Sequence, residues 1–353
     1  MSAPLPPLPA EDLAHVLEHT RHLWPEAKGA NFFITGGTGF FGTWLLESFA
    51  HANDELGLGM RATVLTRDPA AFARKAPHLV ARDDLRFVRG DVRDFTFPAG
   101  EFPFVIHAAT EASMRLIKEN PEEMHDVIVG GMRRVLNFAA LAGTRKLLFT
   151  SSGAVYGRLP PDLSHVPEDY TGEPDPGAPA AVYGEGKRQA EQLCLQHVHR
   201  HGLEVKFARC FAFVGPHLPL DGHFAVGNFL ADALAGRDIR IHGDGTPRRS
   251  YLYAADLAVW LWTILFRGAP GRAYNVGSTE DLSLAELAAA VNRVAGGGAR
   301  IVMAAQPGAG PAVRYVPDTL RARTELGLAE HISLISALQR TMRWLTPDTP
   351  AKA

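Results

Sequence analysis

Asn31-Phe32-Phe33-Ile34-Thr35-Gly36-Gly37-Thr38-Gly39-Phe40-Phe41-Gly42 is the stretch that decides the fold. Its first five residues form a short apolar run bounded by glycines, the pattern of a buried strand. A helical pattern starts at Phe40 and runs to Ala50. Between them, Gly36 permits a tight turn, Gly39 lets a pyrophosphate approach the backbone, and Gly42 lets the helix pack closely on the strand. Free N–H groups at the helix start, around Phe40 and Phe41, attract phosphate charge. Strand, glycine turn and helix in this order predict a dinucleotide-binding unit.

Outward from this unit the same alternation continues. Arg61–Thr66, Leu85–Val88, Phe104–His107, Lys146–Thr150 and Val205–Cys210 read as strands, and Pro121–Ala142 and Ala181–His201 read as long helices. Such alternation predicts an α/β fold with a doubly wound parallel (Rossmann) sheet. The Pro- and Gly-rich segment 157–180 reads as a long ordered loop beside the site. After Phe213 the pattern is less regular, and a smaller C-terminal substrate lobe is expected. The expected division is residues 1–30 as arm and helix, 31–213 plus about 251–280 as the dinucleotide-binding domain, and about 214–250 plus 281–345 as the substrate lobe. Residues 1–10 read as a flexible arm. Glu11 to Trp24 reads as a helix ended by Pro25, with His15, His19 and His22 on a solvated face rather than as a metal site.

The chain has 353 residues, with 36 Lys and Arg against 38 Asp and Glu. This balance lacks the basic field that nucleic-acid partners need. Apolar residues at 46% and charged residues at 21% are a globular mixture. Two cysteines, Cys194 and Cys210, are too few for a disulfide framework or a structural zinc, so no metal and a reducing, cytoplasmic setting are expected. The longest apolar run, Leu257–Phe266, is about half of a membrane span and reads as a buried helix, and no targeting segment stands out.

The end of the second strand bears on the choice of dinucleotide. An acid there would bind the adenosine ribose, but the sequence offers Leu65-Thr66-Arg67-Asp68. Arg67 suits a 2′-phosphate, which favours NADP over NAD. A register shifted by one or two leaves Asp68 as a ribose ligand, and Arg67 as a loop residue.

Tyr183 and Lys187, four apart, share one helix face, and an ammonium beside a phenol lowers its pKa. Tyr183 is thus suited to exchange a proton with a carbinol oxygen, with Ser152 bonding the same oxygen and Lys187 also holding the nicotinamide ribose.

With these residues in place, the chain resembles an extended short-chain dehydrogenase/reductase of the nucleotide-sugar epimerase/dehydratase family. The resemblance rests on Thr35–Gly42, Gly90-Asp91-Val92, His107-Ala108-Ala109, Thr150–Gly157, Tyr183-x-x-x-Lys187, Arg209–Pro216, Gly243-Asp244-Gly245, Arg249 with Tyr251–Tyr253 and Asp256, and Tyr274–Gly277. It implies that Asp91 and Val92 flank the adenine and that Ala108 and Ala109 line the cofactor cleft. Arg249 would bind the diphosphate of an NDP-sugar, and Asn228, in the segment Phe224–Leu230, would also touch it. The helices Pro121–Ala142 and Ala181–His201 would join two copies as a four-helix bundle. No nucleic acid and no membrane are expected as partners.

Departures narrow the chemistry. The family's 4,6-dehydratases follow the position of Ser152 with Asp-Glu, and the related decarboxylases keep a Glu in the second place. Here Gly153 and Ala154 stand there. Elimination would have to recruit Glu111 or Glu185, of which Glu111 is the better placed. A small pair is closer to the 4-epimerases, so a 4-epimerase acting at C4 of an NDP-hexose is expected. A 4-ketosugar reductase, an atypical dehydratase and a non-catalytic NAD(P)-sensing protein remain alternatives. Ala212 replaces an asparagine that contacts the diphosphate in the family, and Pro216–His223 is a candidate for substitute contacts.

Overall fold

The computed structural model describes residues 4–110, 119–175, 177–178, 181–220, 222, 224–306 and 312–346. The glycine turn joins β1 (Asn31–Thr35) to a helix, and the strands that follow are β2 (Arg61–Thr66), β3 (Leu85–Arg89), β4 (Phe104–His107), β5 (Lys146–Ser152) and β6 (Glu204–Cys210). With β11 (Ala273–Val276) they form a seven-stranded sheet in the order β11-β6-β5-β4-β1-β2-β3. Every neighbouring pair is parallel. The sheet is the doubly wound one that the alternation predicts. Chain order reverses between β1 and β4, and that reversal opens a crevice at the C-terminal strand ends.

Both faces of the sheet are buried because successive side chains alternate. Phe32, Ile34, Val64 and Ile106 pack in one core with Trp44, Trp260 and Trp262. Phe33, Leu65, Val105 and Leu147 pack in the other with Met132, Leu136 and Phe138. The first layer holds α1 (Ala10–Thr20), α2 (Phe40–Leu56) and the later helix Ala254–Arg267, which pack on one another. Two short helices, α3 (Pro69–Lys75) and α4 (Pro77–Val80), follow β2. The second layer holds α5 (Pro121–His125), α6 (Gly131–Leu141) and α7 (Ala181–His201). A π turn at Asp126–Gly130 joins α5 to α6, so the predicted Pro121–Ala142 helix is one run with a bulge in it.

The remaining strands are short: β7 (Phe213–Val214), β8 (Ile239–Ile241), β9 (Arg248–Arg249), β10 (Leu252–Tyr253), β12 (Leu282–Ser283), β13 (Ile301–Met303) and β14 (Arg314–Tyr315). They form small sheets, β10-β7, β13-β8 and β12-β9-β14. The helices among them are α8 (Ala225–Leu234), α9 (Ala254–Arg267), α10 (Leu284–Val294), α11 (Leu320–Leu326) and α12 (Leu334–Leu345). The apolar run Leu257–Phe266 is the buried body of α9. Among the described residues no helix is long and apolar enough to cross a membrane.

Two expectations at the N-terminus are corrected. Residues 5–9 are not a loose arm. Leu5 N donates to Lys75 O at 3.0 Å, Leu8 is buried with its N–H on Glu47, and Trp344 Nε1 donates to Pro7 O. A Pro-rich chain makes few bonds of its own, so its carbonyls and apolar side chains are free to fill a groove. His15 and His19 do not face solvent either. His15 Nε2 lies 2.8 Å from the buried carboxylate of Asp256, and both rings pack against His331. His22 is exposed, and among the described residues no three potential ligands are grouped for a metal.

Two other histidines make stability depend on pH. His107 and His217 are buried, and burial pushes each down to about 3. Neither ring nitrogen of His217 has a hydrogen-bond partner, and its ring packs on Trp344. Each folded value lies below the ordinary one, so the unfolded chain takes up protons first. The stability held in the neutral rings is whole above about pH 6.5 and drains as pH falls toward 3. At pH 5.5 each has lost about 1.4 kcal/mol. His217→Asn tolerates the positive φ of 68° at this position. Urea unfolding at pH 7.5 and 5.5 should show a loss smaller by about 1.4 kcal/mol in this variant than in the wild type. Equal losses would mean that His217 is protonated in the fold.

Candidate active site

The predicted glycine turn is built as its spacing requires. Gly36 has φ of 73°, and a Cβ there would lie 2.4 Å from the Ala108 carbonyl group at the end of β4. A Cβ at Gly42 would meet Gly36 O at 2.3 Å, so α2 starts in contact with the turn. No side chain caps α2 at Gly39, which leaves N–H groups at Phe40, Phe41 and Gly42 facing the crevice end. Phe41 packs edge-on against Phe213. A cleft of about 610 Å³ opens here, lined by Gly36, Gly39, Thr66, Arg67, Asp91, Val92, Ala108, Ala109 and Thr110. A side chain at Gly36 would strike the wall formed by Ala108, and the cleft floor is bare backbone beside a helix N-terminus. This fits a dinucleotide pyrophosphate.

The rim at β2 is cationic. Arg67 is exposed and lines the cleft together with half-buried Lys75, whose pKa burial lowers. The Asp68 carboxylate accepts from Ala71 N and caps α3. Thr66 Oγ1 sits 3.5 Å from Thr38 Oγ1. Asp91 is bound by Arg93, which holds its carboxyl below the usual range. Val92 is buried under α6, where the absent side chain of Gly131 makes room for it.

Ser152, Tyr183 and Lys187 come together on β5 and α7. A Cβ at Gly184 would lie 2.5 Å from Ala154 O, so α7 begins directly against the turn after Ser152. That contact brings the Tyr183 phenol beside Ser152, which acts to lower its pKa. Ser152 Oγ accepts from Ala154 N. Lys187 Nζ donates to Thr150 O at 2.7 Å and to Thr110 Oγ1 at 2.8 Å, and lies 5.7 Å from the centre of the Tyr183 ring. The expectation that the ammonium lowers the phenol is corrected: burial pushes Tyr183 above its ordinary value. Burial also pulls Lys187 down to about 7. Beneath the pair, buried His107 bonds Thr35 and stacks on Phe149.

On the other side, Arg249 in β9 places its guanidinium 5.4 Å from the ring centre of Tyr315 in β14. Tyr315 Oη is 3.5 Å from Ser152 Oγ. No motif spacing marks Tyr315; only the β9–β14 pairing, which sets Tyr315 opposite Arg249, reveals it. Asn228 sits half-buried at the start of α8, with no hydrogen bond to Arg249. Glu111 lies outside the described residues, as do Asp221 and His223 of the Pro216–His223 segment. Glu185 is within 3.9 Å of Arg188 on α7.

Other motif residues brace the site. Arg209 donates to both Glu191 oxygens and to Tyr156, and Ser151 also donates to Glu191, so β5, β6 and α7 are tied together. Asn275 bonds Tyr156, Val166 O and Asp318 O, and so fixes the long loop after Gly157. Asp256 anchors α1 and the turn at His331.

The family model described as the NAD dependent epimerase/dehydratase family matches residues 32–277. UDP-glucuronic acid decarboxylase 1 of Xenopus tropicalis is 28% identical over 329 residues, covering 93% of this chain and 75% of the relative. A dTDP-glucose 4,6-dehydratase of Streptomyces niveus is 27% identical over 324 residues, covering 88% and 91%. The structure of Thermus thermophilus UDP-glucose 4-epimerase in complex with NAD superposes with a TM-score of 0.74 at 24% identity, covering 90% of this chain and all of that one. With the glycine turn and the Ser–Tyr–Lys cluster already in place in the fold, the match settles the family: the chain is an enzyme of, and belongs to, the NAD dependent epimerase/dehydratase family.

Proposed function

We propose that this protein oxidises C4 of an NDP-hexose and returns the hydride to the opposite face, as a 4-epimerase. The observation that carries this reading is the Tyr183–Ser152 contact flanked by Gly153 and Ala154, which have no proton to give. The sugar 4-hydroxyl binds Ser152 and Tyr183, and the Tyr183 phenolate takes its proton. Ser152 holds the oxygen through the change from alcohol to ketone and back. When bound, the oxidised nicotinamide supplies a hydride acceptor and a positive charge that favours the phenolate. Lys187, fixed by Thr150 and Thr110, adds charge and holds the ribose. Tyr183 then gives the proton back to the oxygen of the turned sugar. Elimination requires an acid and a base at C5 and C6, and the two positions that supply them in the dehydratases are empty of such groups here.

Arg249 is taken as the diphosphate ligand, since a guanidinium matches phosphate oxygens in pairs. The small sheets around β9 and β14, roughly residues 214–250 and 281–345, are taken as the substrate lobe. Asn228 and Glu111 are kept as substrate contacts. Two copies join through α5–α6 and α7, a reading supported by the exposed Leu141 at the end of α6. A cytoplasmic setting is the reading that the two free, buried cysteines support.

The cationic rim supports NADP: Arg67 lines the cleft just after β2, and Asp68 is occupied with its helix cap. Arg67→Ala should weaken NADP binding by about 10- to 100-fold, the range of one charge-assisted phosphate contact. NAD binding should change less than about threefold by the same reasoning. Equal losses measured by fluorescence titration would assign NAD as the natural cofactor.

Incubation with UDP- and dTDP-hexoses plus each cofactor, followed by mass spectrometry, tests the whole reading. An isomer of unchanged mass supports it. Loss of water makes the protein a dehydratase, and a gain of two hydrogens makes it a reductase.

A further inference from the structure

Lys75, the last residue of α3, lines the dinucleotide cleft with Ala71 and Phe72 of the same helix. Among the described residues no acid pairs with its ammonium, and burial alone acts on it. The acids around it are committed elsewhere. Asp68 caps α3, Glu47 bonds His78 and Leu8 N, and Asp91 bonds Arg93. A half-buried cation on a cleft wall has given up part of its hydration, and an anion entering the cleft restores what it lost.

The N-terminal segment fixes where this cation stands. α3 has seven residues, too few to hold its last turn unaided. Leu5 N donates to Lys75 O at 3.0 Å, and the same segment is anchored by Leu8 N on Glu47 of α2 and by Trp344 of α12 on Pro7 O. It thus ties the end of α3 to the body of the fold. Arg67 stands toward Asp91, on whose carboxyl its charge acts, while Lys75 stands toward His217, whose ring its charge helps keep neutral. The two cations therefore reach the cleft from different elements.

We propose that Lys75, held in place by residues 5–9, is a second ligand for the 2′-phosphate of NADP and biases the chain toward that cofactor over NAD. This assignment rests on the NADP reading above. The pyrophosphate is met by the N–H groups at the start of α2, whereas the adenosine ribose lies past the end of β2, where α3 follows. A 2′-phosphate is a monoester with nearly two negative charges at pH 7, so one guanidinium leaves charge for a second cation to balance.

The test is Lys75→Met, which keeps the apolar stem and removes the ammonium, with Lys75→Arg as the variant that keeps a cation. Calorimetry on the full chain measures NADP, NAD, 2′-AMP and 5′-AMP. Lys75→Met should bind NADP and 2′-AMP about 10-fold or more weakly, with NAD and 5′-AMP within about twofold of wild type. Lys75→Arg should regain most of the NADP affinity. Leu5→Pro removes the N–H on Lys75 O at a place already extended before Pro6, and should weaken NADP about threefold while sparing NAD. NADP affinity within about twofold of wild type in Lys75→Met overturns the assignment, even where Arg67→Ala still selects against NADP. Equal losses of NADP and NAD also overturn it, because they put the ammonium on the pyrophosphate or in the folding of α3. Unchanged NADP affinity in Leu5→Pro overturns the part given to residues 5–9. A wild-type chain that binds NAD as tightly as NADP overturns the NADP reading, and this assignment with it.

Discussion

Tyr183→Phe is expected to lower turnover of an NDP-hexose by two or more orders of magnitude, the usual contribution of a positioned acid–base group. Cofactor affinity should stay near the wild-type value. The separation follows from the geometry. The Tyr183 hydroxyl contacts Ser152, while Lys187 reaches the backbone at Thr150 and the hydroxyl of Thr110 without touching that phenol oxygen. Removing one oxygen thus leaves the cleft wall and its ammonium as they were. Stopped-flow absorbance gives the second readout. The wild type should reduce its bound nicotinamide on adding substrate, and the variant should do so at least a hundredfold more slowly. A variant of normal speed would remove Tyr183 from the chemistry and leave the family fold without its proposed redox cycle.

Gly36→Ala should disable the protein at the level of the fold and the cofactor together. The backbone there has φ of 73°, where a side chain costs about 1 kcal/mol. The added Cβ would also lie 2.4 Å from backbone atoms of Ala108, so β1 and β4 would have to move apart. Overpacking of this kind costs about 1–3 kcal/mol. The combined loss, about 2–4 kcal/mol, is read by urea unfolding, and dinucleotide binding should drop below detection because the same turn faces the pyrophosphate. Gly57 is the control. Its φ is 58°, but nothing lies within 4 Å of the added atom. Gly57→Ala should cost only about 1 kcal/mol and leave binding intact. Similar losses in both variants would show that conformation, and not the contact with Ala108, accounts for Gly36.

The sheet was legible because its strands are buried on both faces and separated by glycine turns. Phe32 and Phe33 enter opposite cores, so the run at 31–35 could not be a solvated strand. Boundaries moved where hydrogen bonds outlast the apolar pattern. β5 runs on to Ser152 because it pairs with β6 as far as Cys210. The arm at 5–9 was misread because a proline-rich segment has no period; only the groove beside α2 and α12 gives it a place. The direction of the Tyr183 shift was misread for a related reason. Spacing along α7 puts Lys187 near the phenol, but it does not report how much water remains there.

The parallel doubly wound sheet and the glycine turn were legible in the chain alone, because strand period, helix period and turn chemistry are local properties of the chain. Only the tertiary structure decided that Tyr315 stands beside Ser152, that Arg249 lies over its ring, and that Asp68 is spent on a helix cap. These depend on strands distant in the chain meeting side by side, and on which polar groups lose their water when they meet. Neither quantity is written in any single stretch of residues.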